Sequence, residues 1–394
     1  MNKFAAFALL SVLTMTMTMT MTMTVQAADS VKIGFVSTLS GPLSGFGLEI
    51  RDGFNLALKT SGNKIGGIPV EVVEGDDQAS PDVGKQLADK MIKRDKVDFL
   101  TGIVYSNVML AVGPPAFASK TFYISAAAGP AAFAGERCNK YFFGLSWQND
   151  GQSEAVGNYM TTNHYKKVFI IAPNYTGGKE NLEGFKRFFK GDVAAEVYVK
   201  LGQLDFASEL AQIRSTKPDA VFFYLPSGMG INFIKQYVGA GLDKEIPYFS
   251  TGHSADEDVI AAVGAPIVGL KNASHWAWDL KNPQNDAFVA DFKKAYGRIP
   301  TMYAFQGYDV VRLLDSAVRD VKGNLTDKEA LHTALMTTDF KSLRGNFKFN
   351  TNQFPMDTFY LREVQKDNAG LITNRTIATI FDNHADAYVG ACKL

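Results

Sequence analysis

What most constrains this chain is a rhythm that runs through it twice. From residue 31 onward, short runs rich in Val, Ile and Phe alternate with amphipathic stretches long enough for three or four helical turns. In the first run, residues 31–36 (Val-Lys-Ile-Gly-Phe-Val) read as a strand, 37–47 as a Gly/Ser/Pro-rich loop, and 48–60 as a helix carrying Ile50, Phe54, Ala57 and Leu58 near helical spacing. A strand at 69–74 ends in Gly75-Asp76-Asp77. Ser80-Pro81 opens a helix to 93, because Ser accepts from the first-turn N–H groups and the fixed φ of Pro suits the first turn. Strands at 97–100, 121–125 and 141–145, with a helix over 107–119, complete the run. After Asp150 the pattern restarts: helix 151–162, strand 167–171, loop 172–178, helix 179–189, strand 194–198, helix 206–215, strand 220–224, helix 228–240, strand 248–250. Helices are expected over 286–296, 301–321 and 327–337. Beyond Gly345 the character changes, and 347–350, 359–364 and 375–381 read as hairpin-like strands. Strands separated by helices argue for parallel sheets covered on both faces, so the expected fold class is α/β with two similar domains.

Length agrees: 394 residues at about 100–200 per domain gives two. Lys+Arg and Asp+Glu are equal at 40 each, which removes the basic excess typical of nucleic-acid binding, and no nucleic-acid partner is expected. The first residues stand apart. Lys3 precedes an apolar run at 5–13, a Met/Thr alternation continues to Thr24, and Val25-Gln26-Ala27 puts small residues at −3 and −1 of a cut after Ala27. A positive start, a short apolar stretch and a small-residue exit predict a secretory signal peptide over 1–27. A membrane anchor is the alternative, weakened by Thr at every second position where about 20 predominantly apolar residues are needed. The remainder is expected to be exported and soluble. An oxidising compartment permits Cys138 and Cys392 to pair, which would tie the C-terminus back to the end of the first third of the chain; two free thiols are the other possibility. Two cysteines are too few for a disulfide scaffold or a Cys-rich zinc site.

Catalytic chemistry is absent from the motifs. There is no Walker A sequence, no His-Glu-x-x-His and no Gly-x-Ser-x-Gly. The glycines of Ser40-Gly41-Pro42-Leu43-Ser44-Gly45-Phe46-Gly47 do not follow the dinucleotide fingerprint, and Pro and Phe there oppose close approach of a pyrophosphate. His164, His253, His275, His332 and His384 show no metal-ligand spacing, and Asp76-Asp77 has no further acidic cluster to complete a site. No cofactor, metal or enzyme activity is expected. What remains is binding. Ligands of open α/β sheets sit beyond the carboxyl ends of the strands. There the chain places Tyr105-Ser106-Asn107, Ser125 to Pro130, Asn174-Tyr175-Thr176, Leu225-Pro226-Ser227 and Thr251-Gly252-His253. Small residues leave room, hydroxyls and helix-start N–H groups bind anions, and Tyr rings cover an apolar body.

Lys32 to Pro42, Gly66-Gly67-Ile68, Glu71 to Gln78, Ile124-Ser125-Ala126-Ala127, Asp205-Phe206 and Gly239-Ala240-Gly241-Leu242 together resemble the type I periplasmic solute-binding proteins of ABC importers, in the leucine/isoleucine/valine-binding branch. The resemblance spans essentially the whole chain after residue 27. It implies two Rossmann-like lobes joined by a three-segment hinge that closes on ligand: lobe 1 from 28–148 and 277–346, lobe 2 from 149–276 and 347–380, and a tail, 381–394, near the hinge. Crossings are implied near 147–151, 273–280 and 345–351. Carried over position by position, it puts a hydroxyl donor at Ser106, a carboxylate clamp at Ala127, Ala128 and Gly129 (where the family often has Thr), an aromatic cover at Tyr175, a contact near Leu225 and Pro226, and an apolar cover at Tyr303. Phe46, Asn107, Gly252 and His253 complete the expected site.

Amino-acid-binding members commonly hold an acid close to the position of Gly252, to pair with the ligand ammonium. Gly252 has none, and Asp256 and Glu257 read as helix-start residues. A buried ammonium without a counter-charge costs several kcal/mol. The rings Phe46, Tyr105, Tyr175, Tyr224, Trp276, Trp278 and Tyr303 point instead to an aromatic carboxylate of benzoate or cinnamate type, with His253 as a donor. The expected role is a periplasmic, monomeric carrier delivering a small-molecule ligand to an inner-membrane ABC permease. A hydrophobic amino acid as ligand, a ligand-sensing module and a secreted enzyme are the alternatives.

Overall fold

The computed structural model describes residues 27–337 and 340–394. Two sheets organise it. The first contains β1 (Val31–Ser37), β2 (Lys64–Ile65), β3 (Ile68–Asp76), β4 (Phe99–Thr101), β5 (Phe122–Ile124) and β6 (Phe142–Phe143), in the order β2-β3-β1-β4-β5-β6. The second contains β7 (Lys167–Pro173), β8 (Asp192–Val199), β9 (Ala220–Phe223), β10 (Tyr248–Thr251), β11 (Lys271–Ser274), β12 (Asp357–Lys366) and β13 (Ile372–His384), in the order β13-β12-β11-β10-β9-β7-β8. Within each, neighbours among the helix-separated strands are parallel; β2–β3, β11–β12 and β12–β13 are antiparallel. The central strands are buried almost throughout, Val168 to Ala172 completely, as expected where helices cover both faces.

Strand order places the cleft. In the first sheet the chain winds outward in opposite directions from β1 and β4, and in the second from β7 and β9. Loops leaving the carboxyl ends at such a switch point diverge to opposite faces and leave a crevice between them. The loops after β1, β4, β7 and β9 carry Phe46, Tyr105, Tyr175 and Tyr224. The chain passes between the sheets three times: from β6 to β7, from β11 to the helices Pro283–Tyr296 and Met302–Asp320, which lie on the first-sheet side against Gly45–Thr60, and from Lys328–Thr337 back to β12.

Several elements differ from expectation for identifiable reasons. The strand Lys271–Ser274 escaped notice because Lys-Asn-Ala-Ser shows no apolar alternation; Asn272 is nonetheless buried, its Oδ1 accepting from Arg362 Nε at 2.9 Å. Residues 347–350 form only an isolated bridge, Phe349 with Pro355, and Phe347 and Phe349 face the first-sheet core, where Phe349 packs on Phe143. The helices Gly45–Thr60 and Thr176–Phe188 begin three residues earlier than read, inside the Gly-bearing loops. β13 runs to His384, past residue 380. Of the signal peptide, residues 1–26 lie outside the described residues, among which no helix is long and apolar enough to cross a membrane.

A disulfide joins Cys138 to Cys392, with Cα atoms 5.5 Å apart. It fastens the segment after β13 to the turn before β6, and so links the tail of the second sheet to the first.

Candidate ligand-binding site

The carboxyl ends of the two sheets face each other across a closed cavity. It is narrow, and it is lined by Phe46, Val104, Tyr105, Ser106, Ala127, Trp147, Asn149, Tyr175, Tyr224, His253 and Tyr303. Each wall has a local origin. Phe46 enters in the first turn of Gly45–Thr60 and stacks on Tyr303, at the start of Met302–Asp320, with centroids 4.0 Å apart. Tyr105 caps Ser106–Ala118, donates its hydroxyl to the Leu43 carbonyl at 2.9 Å, and meets Tyr175 edge-on at 6.0 Å from the other side of the cleft. Tyr175 caps Thr176–Phe188, and its hydroxyl shares a 2.6 Å hydrogen bond with that of Tyr224. Trp147 stands edge-on to Tyr303 and to His253. A roomier groove between Asp258, Lys293, Arg298 and Leu371 lies open to solvent and contains no ring.

The polar contacts are neutral and tightly chained. Asn149 accepts from the Gly129 N–H at 3.1 Å, and its Nδ2 donates to Ser106 Oγ at 2.8 Å and to Glu180 Oε2 at 2.6 Å. Burial, with the charge of Asp150 second, raises Glu180 to about 8. Burial, followed by the positive field of Arg362, lowers His253 to about 3, so its imidazole is neutral at ordinary pH. His253 Nδ1 lies 3.0 Å from Thr251 Oγ1. With Thr251 donating to Nδ1, the remaining ring N–H is a donor. Burial holds the hydroxyls of Tyr105, Tyr175, Tyr224 and Tyr303 protonated.

Of the expected site residues, the fold brings Phe46, Tyr105, Ser106, Ala127, Tyr175, His253 and Tyr303 together on the cavity. Six do not line it. Asn107, in the first turn of Ser106–Ala118, is not among the lining residues. Ala128 gives its carbonyl to Ser125 Oγ at 2.7 Å. Gly129 is pressed on the Trp147 carbonyl, 1.9 Å from where a Cβ would sit; that approach has no room for the Thr the family often carries. Leu225 is buried in the second-sheet core and donates its N–H to Ser254 Oγ at 2.7 Å, and Pro226 follows it on the same loop. At Gly252 a Cβ would meet Arg362 Nη2 and Met302 Sδ, each at 3.0 Å, so a side chain there points at protein atoms.

Trp147, Asn149, Val104 and Tyr224 line the cavity but were not placed in the site. Trp147 and Asn149 lie on the first crossing between sheets, and that is the signal that could have found them: a segment passing from one sheet to the other must border the cleft. Trp276 and Trp278 turn out to be structural. Trp276 stacks on Phe305 and donates to Asn285 Oδ1 at 2.9 Å, while Trp278 lies between Lys293 and Arg375, each 4.7 Å from its ring. Among the described residues no group of three or more potential metal ligands occurs.

The acids near Gly252 are already engaged. Asp256 is buried, pairs with Arg362 Nη1 at 3.1 Å and accepts from the Met302 N–H at 2.6 Å; Glu257 accepts from Thr373 Oγ1 and Asn374 N. Asp76 and Asp77 bond loop groups on either side, including Leu39 N and Thr38 Oγ1.

The periplasmic binding protein family model matches residues 30–369. The chain belongs to the periplasmic binding protein family. As such it is a solute-binding protein of the ABC-transporter type, a non-enzymatic class. This periplasmic binding protein is similar to a solute-binding protein of an R. palustris ABC transporter solved in complex with benzoate: 32% identity, TM-score 0.88, covering 93% of this chain and 100% of that one. It is also similar to one from Rhodopseudomonas palustris BisB5 in complex with 3,4-dihydroxybenzoic acid, at 30% identity and TM-score 0.86, covering 91% and 99%. Among curated relatives, Leu/Ile/Val-binding protein homolog 6 of Brucella melitensis is 27% identical over 371 residues, 91% of this chain and 93% of that protein.

Proposed function

We propose that this protein binds a small aromatic carboxylate between its two lobes, in the periplasm, and delivers it to the membrane permease of an ABC importer. The observation that carries the reading is the composition of the cavity wall: six aromatic side chains, one neutral histidine and no carboxylate. An α-amino acid would bring an ammonium with no acid to meet it, because Asp256 and Glu257 are consumed by Arg362, Met302, Thr373 and Asn374. A carboxylate meets better terms. Ser106 Oγ accepts from Asn149, which leaves its own proton for a ligand, and His253 keeps one N–H. Arg362, buried behind Gly252, adds a positive field without occupying the cavity. Hydrogen bonds from fixed neutral donors in a dry site are worth more than the same bonds in water. The stacked pair Phe46–Tyr303 and the edge-on pair Tyr105–Tyr175 offer ring faces and edges against which a flat ligand packs. The ligands of the two R. palustris proteins support the same class.

The lobe limits, 28–148 with 277–346 and 149–276 with 347–380, belong to this reading, as do export by a signal peptide over 1–27 and action as a monomer. The second reading, a branched-chain amino acid, is favoured by the Leu/Ile/Val-binding relatives. Thermal shift of the purified protein separates the two. Ligand at 100 times Kd should add about 2.7 kcal/mol of stability. Benzoate and 4-hydroxybenzoate should raise Tm and leucine should not; a shift with leucine alone sinks the aromatic reading.

A further inference from the structure

Glu180 does not line the cavity but bonds Asn149, which does, and it is placed where the two sides of the cleft meet. It sits in the second turn of Thr176–Phe188, on the helix capped by Tyr175 and carried by the second sheet. Its Oε1 accepts from the backbone N–H of Ala131 at 3.1 Å, and its Oε2 from Asn149 Nδ2 at 2.6 Å. Ala131 follows the Ser125–Pro130 loop of the first sheet, and Asn149 lies on the crossing between sheets. One carboxyl group therefore holds both sides of the closed cleft.

What it holds matters to the ligand. Asn149 engages both ends of its amide: Oδ1 takes the Gly129 N–H, and Nδ2 gives one proton to Ser106 Oγ and the other to Glu180. An amide can sit in two orientations related by exchange of its O and N, and only one fits this set. Glu180 accepts, so it fixes the Nδ2 end toward itself and Ser106. Ser106 must then accept from Asn149, which turns its own O–H into a donor. The orientation of the cavity hydroxyl is thus set two hydrogen bonds away.

We infer that Glu180 is the positioning residue that latches the closed cleft and orients Ser106 as a donor to the ligand through Asn149. The inference deepens the proposed binding function and rests on it. Because the bond to Ala131 spans the cleft, it exists only when the lobes are together, and its loss falls on the rate of opening rather than on encounter. The isosteric Gln cannot replace Glu: each carboxyl oxygen, protonated or not, keeps a lone pair for Ala131 N–H or Asn149 Nδ2, whereas the amide NH2 of Gln accepts nothing and would face one of them donor against donor.

Glu180→Gln and Glu180→Ala test this on the full chain, with benzoate and, in parallel, leucine as probes, and Trp147 fluorescence as the signal in stopped flow. The expected result for both variants is a dissociation rate raised about tenfold with an association rate within about twofold of wild type, and a ligand-free Tm that is unchanged. A purely structural role would instead lower the ligand-free Tm and leave the dissociation rate alone. A dissociation rate within about twofold of wild type overturns the latch. The second measurement needs no ligand. Both described cysteines are bonded to each other, so nitroxide labels introduced at the exposed helical positions Asn55 and Lys235 report the distance across the cleft cleanly. Glu180→Gln should move the ligand-free distribution toward longer distances; an unchanged distribution also overturns the latch. If wild type binds neither probe, the aromatic-acid reading falls while the label distances still decide Glu180.

Discussion

One crossing segment borders two regions made of opposite materials. Trp147 and Asn149 face the cavity, where rings and neutral donors dominate. A residue further on, Asp150 opens a cluster of charges. Asp150 Oδ2 receives Arg187 Nη1 at 2.8 Å and the Tyr388 hydroxyl at 2.7 Å; Arg187 also pairs with Glu154, which in turn meets His384 Nε2 at 2.5 Å. Tyr388 belongs to the tail that Cys392 ties to Cys138. The difference shows where each kind of interaction is useful. Charges that must be buried are paired with other protein charges, in a fixed place that need not open. The cavity, which must admit and release a solute, contains no charge that would have to be desolvated and resolvated on each cycle. The cluster belongs to the permanent connection between sheets, and the cavity to the part that works.

That division can be broken experimentally. The largest effect is expected from the strap. Reduction, or Cys392→Ser with Cys138→Ser, opens a loop spanning 254 residues and should lower unfolding free energy by about 5.5 kcal/mol in the chain-entropy picture, read by guanidinium titration, with ligand affinity of the folded protein little changed. Next, Asp150→Ala removes the acceptor shared by Arg187 and Tyr388, while Arg187 keeps Glu154, and should cost about 2 kcal/mol of stability. If either change instead weakens binding while sparing stability, the cluster is part of the site. Tyr175→Ala should do the reverse: by calorimetry, affinity for a ring-bearing ligand falls by about 2 kcal/mol, while the ligand-free melting curve stays put. Equal affinity would remove Tyr175 from the site.

The last effect is the smallest at neutral pH and grows only on acidification, and it sharpens the picture of a neutral cavity. His253 titrates at about 3 when folded, against an ordinary 6.5. The unfolded chain therefore binds the proton first, and the contribution of His253 is complete above pH 6.5 and lost as pH falls toward 3. The wild type should lose up to about 1.4 kcal/mol per pH unit in that window relative to His253→Gln, measured as the difference between paired denaturant curves. A difference that does not vary with pH would mean that His253 titrates in the folded protein as it does in the unfolded chain.

Legibility followed the range of the interactions. The strand–helix rhythm is local, and nearly every helix and the parallel strands could be read from it. β11 could not, since its four residues owe their place to pairing with β10 and β12 and to the guanidinium of Arg362, 90 positions away. Within the site, residues following strand ends were legible: Phe46, Tyr105, Ser106 and Tyr175; Tyr303, at the start of Met302–Asp320, came through the family resemblance. Gly252 was placed on the cavity because it follows a strand, but its open side faces Arg362 and Met302. A strand end fixes position, and which way a missing Cβ would point depends on the partner lobe.

The sequence by itself determined the α/β class, the duplicated rhythm, the absence of catalytic motifs and the ring-rich loops at the strand ends, because periodicity and side-chain chemistry act over a few residues. Only the tertiary structure decided which rings converge, that Asp256 and Glu257 are spent on Arg362, Met302, Thr373 and Asn374, that Cys138 lies within bonding distance of Cys392, and that Asn149 and Glu180 stand behind Ser106. Each of those is a contact between residues far apart in the chain, fixed by how two sheets close on one another rather than by any local preference.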